Sequence, residues 1–214
     1  EKPATTDPAA TRDLAARATA LDARVMVGFQ RRYMPSYLAL GQDDLGDLIG
    51  IDVTYSRGLE TNGAHMVDLI LWLLKDQMPD LLGVVPGPMP PVHVQEPCPS
   101  FLLQGAGNVP VTVTGLDLQY HSIDIVAHYS KGRRAVRHGG QTLLAEAKTP
   151  NLLFPGFYYL TSEHGTQNLK NEVGSAFPAM VQDLLHGGGD QPLSNLRSAG
   201  LGQSIVAQVL DQCV

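Results

Sequence analysis

The sequence predicts an α+β chain: an open, mostly antiparallel sheet with helices on one face, preceded by a helix and strand of parallel α/β character. Three observations carry this. A helical segment runs straight into the β-branched, apolar run "RVMVGF" (24–29). A second helix, at 62–75, is apolar almost all round. Between residues 80 and 165 the pattern changes to short alternating runs broken by Pro, Gly and Asn, and two helices follow.

In order along the chain, residues 4–21 hold good helix formers, with Leu14, Ala15, Ala18 and Leu21 on one apolar face. "RVMVGF" then reads as a strand buried on both sides. A helix feeding a buried strand is half of a parallel α/β unit. After Pro35 a short helix is expected over 36–42, and "LIGIDVTYS" (48–56) reads as the next strand. The helix at 62–75 has Asn62 as its N-cap and meets no Pro until Pro79. Its apolar circumference predicts burial. "FLLQG" and "VTVTG" flank a turn at 106–110, while "SIDIVAHYS" and "RRAVRHG" flank a turn at Lys131-Gly132. The closing helices are expected over 175–186, before a break at Gly187-Gly188-Gly189, and over 194–211.

With 214 residues and 43% hydrophobic content the chain can build a sizeable core. Charged residues make up 17% and the net charge is -6, so the basic stripe a nucleic-acid binder needs is missing and nucleic acid is not expected as a partner. The longest apolar run, 66–74, is interrupted by Asp68 and falls short of the roughly 20 residues a bilayer span requires. Cys98 and Cys213 are far apart, which suggests neither a disulfide framework nor a cysteine zinc site, and a reducing, cytoplasmic setting is expected. The histidines at 65, 93, 121, 128, 138, 164 and 186 show no ligand spacing, so no metal site is expected. The first residue is Glu and no signal peptide precedes it, from which the chain is expected to begin inside a longer gene product.

On the helix after Asn62, His65, Asp68 and Trp72 fall at i, i+3 and i+7 and share one stripe. Two titratable groups on an otherwise apolar cylinder face something specific. Either they serve a site, or Asp68 is a buried acid held by a neighbouring Lys or Arg with His65 hydrogen-bonded in the core. Gly63 removes a side chain where a ligand or another backbone approaches closely. "QRRY" (30–33) leaves the buried strand at its C-terminal end, where open α/β sheets bind ligands; Arg31 and Arg32 there either hold a polar ligand or form salt bridges. "KGRRAVRHGG" (131–140) is basic enough for an anion, or is a solvated hairpin guarding a sheet edge. Of Tyr158 and Tyr159, adjacent on a strand, one at most contacts substrate. "GAGNVP" (105–110) lacks the third Gly of a dinucleotide fingerprint and reads as a hairpin turn.

Taken in order and spacing, "EKP" (1–3), "VGFQRRYMP" (27–35), "LGDLIGIDVTYSRG" (45–58) and "NGAHMVDLILWLL" (62–74) resemble the Gfo/Idh/MocA family of oxidoreductases, more loosely from there to "PGFYYLTSEHG" and the final helices. The resemblance implies a Rossmann domain that binds NAD or NADP and a second domain whose open sheet meets substrate and other subunits. It makes residues 1–33 the remnant of the dinucleotide-binding domain, with roughly a hundred residues of an ordinary-sized domain missing, and residues 34–214 the substrate-binding and oligomerisation domain. Residues 1–32 are then expected as an orphaned helix and strand.

Carried over by residue, Lys2 matches the motif lysine that approaches nicotinamide and substrate, and Asp68 the carboxylate of the helix motif. Many members carry a proton-transferring His four residues after that Asp; here Trp72 stands there, and His65 precedes the Asp. The implied catalytic set is Lys2, Asp68 and His65, with Lys2 or His65 as base and Asp68 orienting it or binding a substrate hydroxyl. Glu1, Lys2, Pro3, Gln30 and Arg31 are implied at the cofactor; Arg32, Tyr33, Asn62 and Tyr158 at the substrate. The N-G-x-H-x-x-D arrangement resembles members associated with polysaccharide and nucleotide-sugar pathways, so the implied partner is a sugar or nucleotide sugar, acted on by hydride transfer. The implied assembly is a homo-oligomer through the open sheet. The alternative is a non-enzymatic carbohydrate-binding or assembly module.

Overall fold

The computed structural model describes residues 1–88, 91–93, 96–162, 165–169, 172–187, 189 and 191–213, with the backbone alone for Asp43. His164 and Gly188 lie outside the described residues. Among those described, nine strands form one sheet: β1 (Leu48–Ser56), β2 (Asp80–Val85), β3 (Ser100–Gly105), β4 (Val109–Leu116), β5 (Ile123–Tyr129), β6 (Gly132–Arg137), β7 (Thr142–Pro150), β8 (Tyr158–Thr161) and β9 (Thr166–Asn168). Their order is β2-β3-β4-β1-β5-β6-β7-β8, with β9 also on β7. The β1/β4 pair is parallel and the others are antiparallel.

Alternation decides which face is covered. Ile51, Val53 and Tyr55 of β1, Phe101 and Leu103 of β3, Val111 and Val113 of β4 and Ile123, Ile125 and Ala127 of β5 all point into one core. Three helices close over that face: α3 (Ala64–Leu73), α4 (Val173–His186) and α5 (Leu196–Asp211). The opposite face carries Asp52, bonded to His128 at 2.9 Å, and the exposed Leu82 and Leu102. The open, mostly antiparallel sheet with helices on one face is therefore as the sequence predicts.

The α3 helix is the centre of the core. Met66, Val67, Leu69, Ile70 and Leu71 have no exposed surface. The helix begins two residues later than predicted because Leu59–Gly63 forms a π-helical turn. Asn62 is not an N-cap: its amide donates to Ser56 O at 2.7 Å, tying that turn to the end of β1. Gly63 makes room for Tyr55 and Leu59, not for a ligand.

The N-terminal region differs most from expectation. Helix α1 (Pro8–Ala20) starts under an Asp7 cap to Ala9 N at 2.8 Å and packs on α5, with Ala15 and Ala18 against Leu196 and Ala199. Residues 24–29 form no strand; Met26 makes one isolated bridge to Asn195, and Val27 N donates to Ser194 O at 3.0 Å. A strand needs a continuous ladder partner, and here the backbone bonds are isolated ones, to Ser194 O on one side and from Gly28 N to Glu1 O on the other. The segment is nonetheless docked, not orphaned: Arg24 donates to Leu184 O (3.1 Å) and Asp183 O (2.7 Å), carbonyls in the last turn of α4. Beyond it, the helix expected over 36–42 is a four-residue α2 (Pro35–Leu38) followed by a 3-10 turn, Ala39–Gly41.

The stripe of α3 faces this same segment. His65 meets Phe29 edge to face at 5.6 Å, Asp68 meets Arg32, and Trp72 lies over Gly41. Arg32 has no exposed surface, and its guanidinium donates to Asp68 Oδ2 (2.8 Å), Asp68 O (2.9 Å), Leu193 O (3.0 Å) and Asp76 Oδ1 (3.2 Å). Of the two readings of Asp68, the structure realises the buried ion pair. Breaking one partner strands the other charge in the core, a loss of about 3–5 kcal/mol. Urea denaturation of Arg32→Met and Asp68→Leu is expected to show losses of that size, with much of the loss recovered in the double variant; single losses below about 1 kcal/mol contradict the assignment.

Candidate functional site

Five polar side chains converge where β1 ends, β5 begins and α3 starts: Lys2, Arg31, Asn62, His65 and His121. Lys2 is carried in by the N-terminal strand-like segment, which Gly28 N fixes through Glu1 O at 3.2 Å. Its Nζ donates to Thr61 O at 2.7 Å and to Glu60 O at 3.1 Å, both in the π-helical turn before α3. The Lys2–Pro3 peptide is cis. Arg31 enters from a 3-10 turn, Gln30–Tyr33, and its Nη1 donates to Tyr37 Oη (2.9 Å) and Gly139 O (3.0 Å). His121, in the loop before β5, has its Nδ1 3.3 Å from Asn62 Nδ2.

These groups act on one another electrostatically. Burial lowers the Lys2 ammonium from its ordinary value; Glu96 opposes the fall, Arg31 deepens it and Glu60 opposes it. His65 is pushed down to about 3, by burial first and then by Arg31, Lys2 and His121. It is therefore a neutral imidazole near pH 7, and its Nδ1 is buried with no hydrogen-bond partner among the described residues. His121 is lowered too, by burial and by Arg31 and Arg57. The arrangement sets a tethered amine, a neutral imidazole and amide and guanidinium donors beside one another, groups of the kind that hydrogen-bond a ligand rich in hydroxyl groups.

Beside it, Pro3, Thr5, Pro8, Phe29, Ala64 and Val206 line a cleft of about 270 Å³. Its lining is mixed, with Glu60, Gln203 and Asp211 beside the apolar residues. "GAGNVP" is no phosphate loop: it is the turn between β3 and β4, with Gly107 and Asn108 at positive φ.

The other expected residues separate from this group. Asp68 does not reach Lys2: Oδ2 is taken by Arg32, and Oδ1 is buried without a partner among the described residues. Burial raises its carboxyl and Arg32 opposes the rise. Arg32, fully buried, offers no surface to a substrate. Tyr33, 6% exposed, donates to Asp183 Oδ2 at 2.6 Å and accepts from Ser194 N at 3.1 Å. Gln30 opens the 3-10 turn, and Glu1 and Pro3 flank Lys2. Tyr158 is on β8, separated from β1 in the sheet by β5, β6 and β7, with Lys148 Nζ 4.0 Å above its ring. The basic run 131–140 is hairpin in part: Arg133 pairs with Glu146 and Arg134 with Asp44. Glu96 and His121 were not among the expected site residues, and neither sits in a helical or alternating pattern that would mark it.

No family model and no curated protein matches this sequence. Solved structures do. An NAD binding oxidoreductase from Klebsiella pneumoniae superposes with a TM-score of 0.78 at 13% identity, over 99% of this chain and 70% of that one. A super-repressor mutant of Gal80p from Saccharomyces cerevisiae gives 0.73 at 12%, over 99% and 68%. A UDP-N-acetylglucosamine 3-dehydrogenase from Acidithiobacillus ferrooxidans gives 0.72 at 13%, over 99% and 69%. The fold is that of the Gfo/Idh/MocA oxidoreductases. The chain spans about two thirds of each matched chain, and the Gfo/Idh/MocA likeness at these identities is one of architecture.

A histidine held neutral by burial makes stability depend on pH. The unfolded chain takes up a proton near 6.5 and the folded chain only near 3, so between those values the unfolded state binds more protons. Stability contributed by neutral His65 is thus complete above 6.5 and falls as the pH drops, by up to about 1.4 kcal/mol per pH unit. Denaturation midpoints of the wild type and His65→Gln, compared from pH 7 to 5, are expected to show a shallower fall in the variant. Parallel curves would contradict a buried neutral imidazole.

Proposed function

We propose that this chain forms the substrate side of a nicotinamide-dependent oxidoreductase acting on a sugar or sugar derivative, nucleotide sugars included. The observation that carries the reading is the tethering of Lys2. A neutral amine has two N–H groups and one lone pair. With both N–H groups on Glu60 O and Thr61 O, the lone pair is left for a substrate hydroxyl proton. Oxidation of a sugar alcohol needs such a base, while the nicotinamide, when bound, accepts or supplies the hydride.

In this reading Lys2 is the proton-transfer group, since desolvation draws its protonation down toward the useful range. His65, too weak a base at about 3, serves as a neutral hydrogen-bonding partner for a sugar hydroxyl. Asn62, His121 and Arg31 complete the polar wall. Asp68 works only indirectly, by anchoring α3 through Arg32. The cleft lined by Pro3, Thr5 and Val206 is where a nicotinamide ring would rest, and the phosphate-holding part of NAD or NADP falls to a dinucleotide-binding region beyond these residues, to which residues 1–33 belong. Residues 34–214 form the substrate and assembly domain, the open sheet face pairing copies. A cytoplasmic setting follows for an enzyme that depends on this cofactor pool.

A second reading is favoured by one observation: among the matched structures is a super-repressor mutant of Gal80p, so this architecture also serves a protein described as a repressor. A non-enzymatic module that binds a carbohydrate would use the same polar wall without turnover.

The two readings separate in the full-length protein, assayed by nicotinamide absorbance against a panel of sugars and nucleotide sugars. Lys2→Ala is expected to lower turnover by roughly 10²–10⁴-fold, and Lys2→Arg, always charged, to restore none of it. Near-normal turnover in Lys2→Ala sinks the assignment of the base, and the absence of dinucleotide binding in the full-length protein favours the module.

A further inference from the structure

The amine on which the proposed chemistry turns is not paired directly with any carboxylate within 4 Å among the described residues. Its partners are two backbone carbonyls. A carboxylate nevertheless grips the other side of the same turn. Glu96 Oε2 accepts from Glu60 N at 2.7 Å and from Thr61 N at 3.1 Å, and Oε1 accepts from the Thr61 hydroxyl.

One peptide group stands between the two charges. The unit joining Glu60 to Thr61 presents its carbonyl to Lys2 Nζ and its N–H to Glu96 Oε2. The cation sits at the oxygen end of that dipole and the anion at the hydrogen end, the arrangement in which each bond polarises and strengthens the other. The second carbonyl on Lys2, that of Thr61, belongs to the residue whose amide and hydroxyl both bind Glu96.

The local backbone is shaped to admit this carboxylate. Gly58 has φ +93, and a Cβ there would collide with the Glu96 side chain. The segment is stitched down on both sides of the acid's approach, with Leu59 N donating to Pro97 O at 2.9 Å and Gly58 N to Cys98 Sγ at 3.0 Å. A solvated surface glutamate requires none of this.

We propose that Glu96 is a positioning residue for Lys2: it fixes the Leu59–Gly63 turn whose carbonyls hold the amine, and its charge, relayed through the shared peptide, sets how readily that amine gives up its proton. The proposal rests on the reading of Lys2 as the proton-transfer group. The charged groups facing Lys2 are Glu96 and Glu60, which favour the ammonium, and Arg31, which disfavours it; His65 on α3 is neutral near pH 7. Removing the Glu96 charge leaves burial and Arg31 less opposed, so the amine deprotonates at lower pH.

The test needs neither substrate nor dinucleotide, so its outcome is separate from that of the functional reading. The chain has five lysines; in protein labelled with ¹³C-lysine, the Lys2 Cε signal is assigned by its loss in Lys2→Arg and followed through a pH titration. Glu96→Gln, close to isosteric, is expected to move the Lys2 midpoint to lower pH while the other four lysines keep theirs, and to speed hydrogen exchange at the Thr61 amide. Glu96→Asp, which keeps the charge but not the reach, is expected to fall between. An unchanged or raised Lys2 midpoint in Glu96→Gln overturns the proposal. Should that variant lose the native spectrum, Glu96→Asp decides in its place, and an unchanged midpoint with unaltered Thr61 exchange there overturns it equally.

Discussion

A guanidinium with no solvent contact imposes an obligation on everything around it. Arg32 meets that obligation by drawing the side chain and backbone of Asp68, the carbonyl of Leu193 and the carboxylate of Asp76 to one point. Three stretches of chain far apart in sequence are thereby held in register: the turn after residue 29, the central helix α3 and the link into α5. The pair contributes little net stability compared with apolar groups of the same shape. What it contributes is position. With α3 fixed about its axis, His65 is aimed at Phe29 and the turn before the helix lies under Lys2.

The site then follows from desolvation. Lys2, His65 and His121 all have their charged forms disfavoured by burial, and Arg31 adds like-charge repulsion to each. The neutral imidazole of His65 in particular offers a polar ligand a hydrogen-bonding group without a buried charge to desolvate. Carbonyl tethers on Lys2 and the amide-to-imidazole contact between Asn62 and His121 restrict the rotamers these side chains would otherwise lose on binding. Preorganisation of this kind lowers the entropic cost of holding a ligand in place.

Much of the architecture was legible in the sequence because its period changes with its structure. The β1 run "LIGIDVTYS" matches its strand end to end, and the apolar circumference of "AHMVDLILWL" matches burial on all sides. Residues 24–29 misled because apolar, β-branched composition marks burial as well as pairing, and here burial came from α1 and α5. Asn62 misled because its side chain has both a carbonyl that could cap a helix and an NH₂, and here the NH₂ donates to Ser56 O at the strand end. In the candidate site, Lys2 was marked by the motif and His65 by the stripe; Asp68, on the same stripe, is paired with Arg32 in the core. Glu96 and His121 are brought in by loops whose contacts are set by tertiary packing, and no local pattern encodes that.

The central claim is that the polar cluster of Lys2, Asn62, His65 and His121 receives a sugar. Nuclear magnetic resonance of the labelled chain, titrated with free sugars and nucleotide sugars, tests it most directly. The account predicts saturable shifts confined to the amides and side chains of these four residues and of the Leu59–Gly63 turn. Saturable shifts that leave this turn untouched and fall instead on the β7–β8 hairpin or the open face of the sheet would contradict it.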